Sequence, residues 1–243
     1  MLGQLELVAD SEYNNAGDLV GIDTANMDAE LLGALKTLNP VTRQKVVNAL
    51  AKNPTPSRGS RSEMEKHFKE LPAHIKAELA KGTLKLADVV MYSIKPINNS
   101  KTIKIFETQD DKEVGIRNVS NAKLPKNMAL LVSGIVLLAG TADGAEKDQT
   151  MATRFNGIEF FPAIANGEFS LKANKKTIVP ETSNSWFKTQ GFNIVPVGYY
   201  KLSNPRLIHD DVQIEMTLDL GTVLGIPPNT NVFVGLHGTA TLP

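Results

Sequence analysis

From Met128 to Ala139 the chain runs twelve residues, MALLVSGIVLLA, without a charge, and no other stretch of the sequence is as long and as apolar. A bilayer-crossing helix needs roughly 18 to 20 apolar residues, so this run predicts a strand at the centre of a folded core. Leu124-Pro125 gives it an extended entry, because proline disfavours helix in the residue before it. Ser133-Gly134 interrupts it, and a glycine inside a strand marks a bulge or a close backbone approach. A strand that is apolar on both faces needs a layer above it and another below. The rest of the chain has to supply those layers.

Enough material is present. With 243 residues and 42% hydrophobic content, the chain can bury roughly three quarters of its extended surface. Lys plus Arg equals Asp plus Glu at 26 each, so no global field selects nucleic acid or an anionic membrane. There is no cysteine, which excludes disulfides, thiolate metal sites and cysteine nucleophiles. The first ten residues carry neither a basic segment nor a long apolar one, so a secretory signal is not expected and the chain is expected to act where it is made. The neutral total conceals a dipolar start. Residues 1–35 hold seven acids and no base, a net −7, whereas residues 36–81 hold ten bases and four acids, a net +6. Such neighbours attract each other, a second copy or an outside partner.

Taken in order, residues 1–26 mix Gly, Asn and Asp with short apolar clusters and read as an extended acidic arm. Residues 27–82 read as a block of short helices. Met27, Leu31, Leu32, Leu35 and Leu38 share one helical face; Asn39-Pro40 stops that helix and caps the next, which carries Val46, Val47 and Leu50. The stretch 53–60, with two prolines and a glycine, is a linker. A capping box at Ser60/Glu63 or Ser62/Glu65 opens a third helix, broken at Leu71-Pro72, and Ala73 to Lys81 forms a last turn closed by Gly82.

From Thr83 the period shifts towards two. Strands are predicted from Leu84 to Ile94, Thr102 to Phe106, Val114 to Val119, along the Met128 run, and from Asn231 to Leu236. Asn156-Gly157 and Asn166-Gly167 suit type I′ hairpin turns, with strands expected at Met151–Phe155, Ile158–Ala165 and Glu168–Ala173. From Val212 to Leu220 apolar and polar residues alternate without a fault, the pattern of a strand with one wet face. Val136, Leu138, Ile214, Met216 and Leu218 are the expected core. Eight or nine strands, with the helices gathered in one block instead of alternating with them, predict a mainly β fold: a single jelly-roll β-sandwich over residues 83–243 behind an N-terminal α-helical appendage.

Chemistry is harder to find. His67, His74, His209 and His237 make neither a His-x-His nor a His-Glu-x-x-His pattern, so no metal site is predicted. His209-Asp210-Asp211 near Arg206 has the composition of a base with an orienting acid, but no nucleophile elbow accompanies it and it reads as a loop. Gly140 to Gly144 has glycines without the Lys-Ser/Thr ending of a phosphate loop, and reads as a turn. No catalytic residue and no cofactor is expected, and an enzyme is not the expected class. Trp186, Phe187, Phe192, Tyr199 and Tyr200 cluster within fifteen residues, and read as packing or subunit contact before sugar stacking. Lys172, Lys175 and Lys176 form a basic patch with no aromatic stripe between them, a weak nucleic-acid signal.

The order Asn121-Ala-Lys-Leu-Pro-Lys-Asn before a long apolar strand, then Asn166-Gly-Glu-Phe-Ser-Leu-Lys, then Leu202-Ser-Asn-Pro-Arg-Leu-Ile, then a closing Val-Phe-Val-Gly-Leu, resembles the jelly-roll capsid proteins of icosahedral viruses. It is most similar to those of bacteriophages. The resemblance covers residues 84–243 and implies a virion shell component, made and assembled in the host cytoplasm, that oligomerises with copies of itself and meets other virion proteins. It also implies contact of an arm with neighbours, the genome or an internal membrane; the lack of a strongly basic arm makes nucleic-acid contact indirect. The expected subunit contacts are Leu31, Leu35, Leu38, Val46, Val47 and Leu50 on the helices and Trp186, Phe187, Tyr199 and Tyr200 on the sandwich. The alternative is a receptor- or glycan-binding jelly-roll module of a phage tail or spike, for which the aromatics from Trp186 to Tyr200 have to lie exposed together.

Overall fold

The structure, a computed structural model, describes residue 64, residues 66–189 and residues 196–243. The expected acidic arm, the stripes Leu31/Leu35/Leu38 and Val46/Val47/Leu50, the 53–60 linker and Phe192 lie outside the described residues. The described residues form eight strands in order: β1 (Lys85–Pro96), β2 (Thr102–Lys104), β3 (Leu130–Thr141), β4 (Glu168–Ala173), β5 (Lys176–Ser183), β6 (Tyr199–Ile208), β7 (Ile214–Asp219) and β8 (Thr230–Leu242). Among the described residues three short α-helices accompany them, α1 (Ala73–Ala80), α2 (Lys147–Met151) and α3 (Pro162–Ala165). The described part of the chain is thus mainly β.

All strand pairings are antiparallel, and they are nested. Strand β4 pairs with β5, β3 with β6, β2 with β7 and β1 with β8, as in one long hairpin folded over on itself. Two further pairings, β3 with β8 and β4 with β7, join these into two four-stranded sheets of order β1-β8-β3-β6 and β2-β7-β4-β5. A single core lies between the sheets. Leu130, Val132, Ile135, Leu137, Val232, Val234 and Leu236 of the first meet Phe169, Leu171, Ile214, Met216 and Leu218 of the second. The innermost hairpin turns at Asn174-Lys175, whose φ values of 50° and 62° are those a tight two-residue turn requires.

The predicted central strand is β3, flanked by β8 and β6, and Leu130 to Ile135 are buried without a break. Its inner face is the core. Its outer face is covered at one end by the chain that precedes β1: Met64, Leu71, Ile75 and Leu84 pack on Ala129 and Leu131, with Phe68, Leu79, Leu86 and Leu207 at the margin. The described end of the helical block therefore rests on its own sheet. The interruption at Ser133-Gly134 is a bulge, where the register of β3 slips against both neighbours. Against β8 two residues then oppose one, and the inward parity changes from Leu130 and Val132 to Ile135, Leu137 and Ala139. This corrects the expected core, because Val136 and Leu138 point outward and are half-buried. Ile214, Met216 and Leu218 are fully or almost fully buried, as the alternation of that strand predicts.

The strands expected from Val114 to Val119, Met151 to Phe155 and Ile158 to Ala165 are absent. Residues 105–129 form a long connection instead, held to the core by Ile105, Phe106, Val119, Leu124 and Met128. Lys95 of β1, 9% exposed, pairs there with Glu107 and, at 2.7 Å, with Asp110, which also takes Arg117 at 2.6 Å. Neither Asn-Gly pair makes a hairpin, because Gly157 sits at φ −61° before a 3₁₀ turn and Asn166, at φ −91°, ends α3. Asn156 exchanges backbone bonds with Ala139 at the end of β3, and Pro162 opens α3 in its first turn. Strands β5 and β6 carry Pro180 and Pro205 and lie on sheet edges, where a missing N–H costs no ladder bond.

The parity switch has a measurable signature. Truncation of a fully buried Leu or Ile to Ala costs about 2–5 kcal/mol, so Leu137→Ala and Ile214→Ala each lose that much in urea denaturation. Leu138→Ala, one residue along, loses less than half as much as Leu137→Ala. Equal losses at 137 and 138 contradict the bulge.

Candidate functional site

Alternation along β1, β8, β3 and β6 puts a second set of side chains on the outer face of the first sheet. Val90 and Tyr92 of β1, Phe233 of β8, Val136 and Leu138 of β3 and Tyr199 of β6 are exposed or half-buried there, between neighbours that belong to the core. Tyr92 stacks on Phe233 with ring centres 5.6 Å apart, and Phe155 reaches the same ring at 5.7 Å. Gly235 lies between these groups; a side chain there meets Val90 Cγ1 at 2.9 Å, so the glycine leaves a shallow trough. The patch is apolar, is left open by the described residues and adjoins the end of the sheet on which Met64, Leu71, Ile75 and Leu84 pack.

Beside it lies the most polar feature of β3. At the bulge Ser133 Oγ is 3.4 Å from His237 Nδ1 and donates to the His237 carbonyl at 3.3 Å. The Tyr199 ring stands edge-on to His237 at 5.7 Å and lies over Gly134, where an added Cβ meets its hydroxyl at 2.2 Å. Burial pushes the Tyr199 phenol up, an effect its hydrogen bond with Ser133 reduces. A serine, a histidine and a tyrosine meet here without a carboxylate on the imidazole in any bond described. The geometry fixes the bulge; it lacks the orienting acid of a nucleophilic triad.

His209, Asp210 and Asp211 do another job. Asp210 is 6% exposed, and its Oδ2 accepts from the Asn127 backbone N–H at 2.9 Å and bonds His74 Nε2 of α1 at 3.0 Å. Its burial opposes the charge, but the Asn127 N–H and the two histidines outweigh that and hold the carboxyl below its ordinary value. His209 Nδ1 bonds the Asp210 carbonyl, and Asp211 occupies the turn at φ 59°. This is a clamp between α1, the entry to β3 and the end of β6. The sequence shows the motif without its partners, because Asn127 and His74 lie 83 and 136 residues away.

The aromatic cluster divides. Phe187 is fully buried and packs with Phe169 and Tyr200 at ring distances of 4.9 and 5.8 Å, which corrects its expected place as a subunit contact. Successive residues of a strand point to opposite faces, so Tyr200 enters the core edge while Tyr199 lies on the outer face. Trp186 is 64% exposed and 6.3 Å from Tyr200. Phe160, 71% exposed, ends the 3₁₀ turn Ile158–Phe160 just before α3, and Asn184 of the Trp186 turn donates to the Ile164 carbonyl of α3 at 2.8 Å. The sequence pointed to Trp186 and missed Phe160, whose segment it read as a strand.

One open groove of about 280 Å³ lies between the start of the long connection and β7, lined by Lys104, Glu107, Gln109, Gln213, Glu215 and Thr217 over Phe106 and Met216. Among the described residues no group of three or more His, Asp or Glu is placed to hold a metal ion, and no helix is long and apolar enough to cross a membrane. No protein-family model matches the chain, and no curated protein matches it. Among solved structures, the chain is similar to dimeric latent PorU from Porphyromonas gingivalis at 10% identity and a TM-score of 0.19, over 64% of this chain and 12% of that one. The chain thus spans about an eighth of PorU. A likeness at that score carries no argument about fold or function.

The clamp has a defined pH dependence. A carboxyl whose folded value is depressed stabilises fully above its unfolded value and loses that contribution as pH falls through the folded value. The wild type therefore melts higher than Asp210→Asn above about pH 5, and the difference shrinks as pH drops below the ordinary 3.8. A difference that stays constant from pH 7 to pH 2.5 contradicts the clamp.

Proposed function

We propose that the protein is a structural, self-assembling component of a virion, a capsid protein of a bacteriophage. In this reading the β-sandwich is a single jelly roll behind an N-terminal helical block. The observation that carries the proposal is the strand order. A jelly roll is two interlocked Greek keys formed when a hairpin of four nested strand pairs wraps around a barrel, and the pairs 1–8, 2–7, 3–6 and 4–5 in two sheets of four follow that scheme. Strand order is also one of the two features, with turn placement, on which the sequence's resemblance to capsid proteins rests, and the Asn166-Gly167 hairpin does not form.

Large apolar side chains at one loop end favour contact between copies. Phe160 and Trp186 are largely exposed, Trp186 on a turn fixed by the buried Asn184 and Phe187 and Phe160 on a turn fixed by the buried Ile158, which suits anchors of a protein interface. Copies of the same chain are the principal partners, other virion proteins the secondary ones, and the shell forms in the host cytoplasm. A genome or an internal membrane beneath the shell makes only indirect contact in this reading, and no cofactor is needed. The exposure of Trp186 alone favours the second reading, a receptor- or glycan-binding module of a tail or spike. A sugar platform needs several faces together, whereas Phe187 is buried and Tyr199 lies across the sheet.

Purified protein examined by mass photometry and negative-stain microscopy is expected to form discrete multiples of the 26.3 kDa chain, including closed particles. Combining Phe160→Ala with Trp186→Ala weakens assembly at least about tenfold and leaves the melting temperature unchanged, as expected for exposed hot spots. A single 26.3 kDa species up to about 50 µM overturns the proposal, since a shell built on weaker contacts than that does not persist. Binding of wild-type protein on a glycan array that Trp186→Ala abolishes moves the reading to the receptor module.

A further inference from the structure

We propose that the uncovered half of the outer face of the first sheet is the seat of the chain's own residues 27–50, folded back within the same subunit. The face is continuous. Leu131, under the covering cluster, and Leu138, in the open patch, lie on one strand about 23 Å apart at roughly 3.3 Å per residue. Between them the rows run sideways without interruption: Gly134 opposite His237, Val136 opposite Gly235 and Tyr199, Leu138 opposite Phe233. One end is closed by residues 64–84. The other end leaves Val90 38% exposed and Tyr92, Val136, Leu138, Tyr199 and Phe233 partly so.

Three observations name the occupant. Met64, the first described residue, is fully buried in the covering cluster, so residues 1–63 are tethered at this face. Those residues carry two apolar stripes at helical spacing, Leu31/Leu35/Leu38 and Val46/Val47/Leu50, which are too short to bury each other in a core of their own. From Leu50 to Met64 the chain spans at most about 45–50 Å when extended, roughly twice the distance to be crossed. A tether of that length holds its segment at an effective concentration of order millimolar, well above that of a free second copy. The established contact of Phe68, Leu71 and Ile75 on the same sheet is the start of the cover, and residues 27–50 extend it. Contacts between copies are then left to the Phe160/Trp186 end, and the seat exists whether or not the chain builds a shell.

The absence of native cysteine makes the test direct. In the full-length chain, Val90→Cys is combined with Leu35→Cys in one variant and with Val46→Cys in another, and each is oxidised mildly. The expected product is a disulfide within one chain, at monomer mass on a non-reducing gel, in the same yield over a hundredfold dilution. In the single variant, Val90→Cys reacts with a thiol reagent at least about tenfold more slowly than Val114→Cys, whose site is 85% exposed. A ladder of cross-linked chains that disappears on dilution overturns the proposal by placing the segment on a neighbour. No bridge in either pair, with Val90→Cys as reactive as Val114→Cys, overturns it as well. Particles seen by microscopy alongside either negative result leave the assembly reading standing.

Discussion

The fold depends on burying β3 from two sides at once. A strand whose residues from Leu130 to Ile135 are all shielded from water is stable only between two layers, and the layers here differ in origin. The second sheet supplies one through Phe169, Leu171, Ile214, Met216 and Leu218. The helical end of the preceding chain supplies part of the other through Met64, Leu71 and Ile75. The bulge at Ser133 reconciles them. Before it Leu131 serves the outer layer, and after it Ile135, Leu137 and Ala139 serve the core while the outward positions are left half-wet.

The polar groups of the region serve that arrangement. Ser133, His237 and Tyr199 occupy the space the bulge opens, over a glycine that admits the tyrosine ring. Asp210 is buried at the mouth of β3, satisfied by the Asn127 N–H and by His74 of the covering helix. Since a buried carboxylate is tolerable only when paired, loss of the helix strands a charge. The long 105–129 connection is fastened in the same way, by Lys95 and Arg117 on Asp110 and by the apolar anchors beneath them. Structural bonds engage Asp210, His74, His209 and the Ser133–His237 pair, groups that in isolation resemble catalytic ones.

The sequence revealed elements whose local pattern and tertiary role coincide. Val212 to Leu220 alternates because one face meets the core and the other meets water, and β7 follows that alternation residue by residue. The Met128 run is apolar because the core covers one face along its length and the Met64/Leu71/Ile75 cluster covers the other at its start. Elements decided by distant partners were not legible. Strands β5 and β6 are polar edges with a proline each, so neither composition nor periodicity marks them. The Asn-Gly pairs misled because their φ values are set by a bridge to β3 and by a helix end, while Asn174-Lys175 makes the tight turn without a glycine. Val136 and Leu138 were placed inward because a bulge reverses parity and a run of apolar residues does not record it. In the candidate contact region, the exposure of Trp186 against the burial of Phe187 depends on a 3₁₀ turn capped by Ser183, a feature far weaker in sequence than the aromatic cluster itself.

The scaffold combines nested strand pairs, a bulge filled by Ser133, His237 and Tyr199, and the exposed side chains of Phe160 and Trp186. All of it requires β3 to be the last element to open. Native-state hydrogen exchange followed peptide by peptide measures this directly. Amides of Leu131 to Ala139 and their partners Val232 to Leu236 are predicted to exchange only through global unfolding, with the full unfolding free energy, while the edge strands β5 and β6 open earlier. Exchange of the β3 amides as fast as those of β5 contradicts the account, because a strand covered on both faces cannot open ahead of the edges.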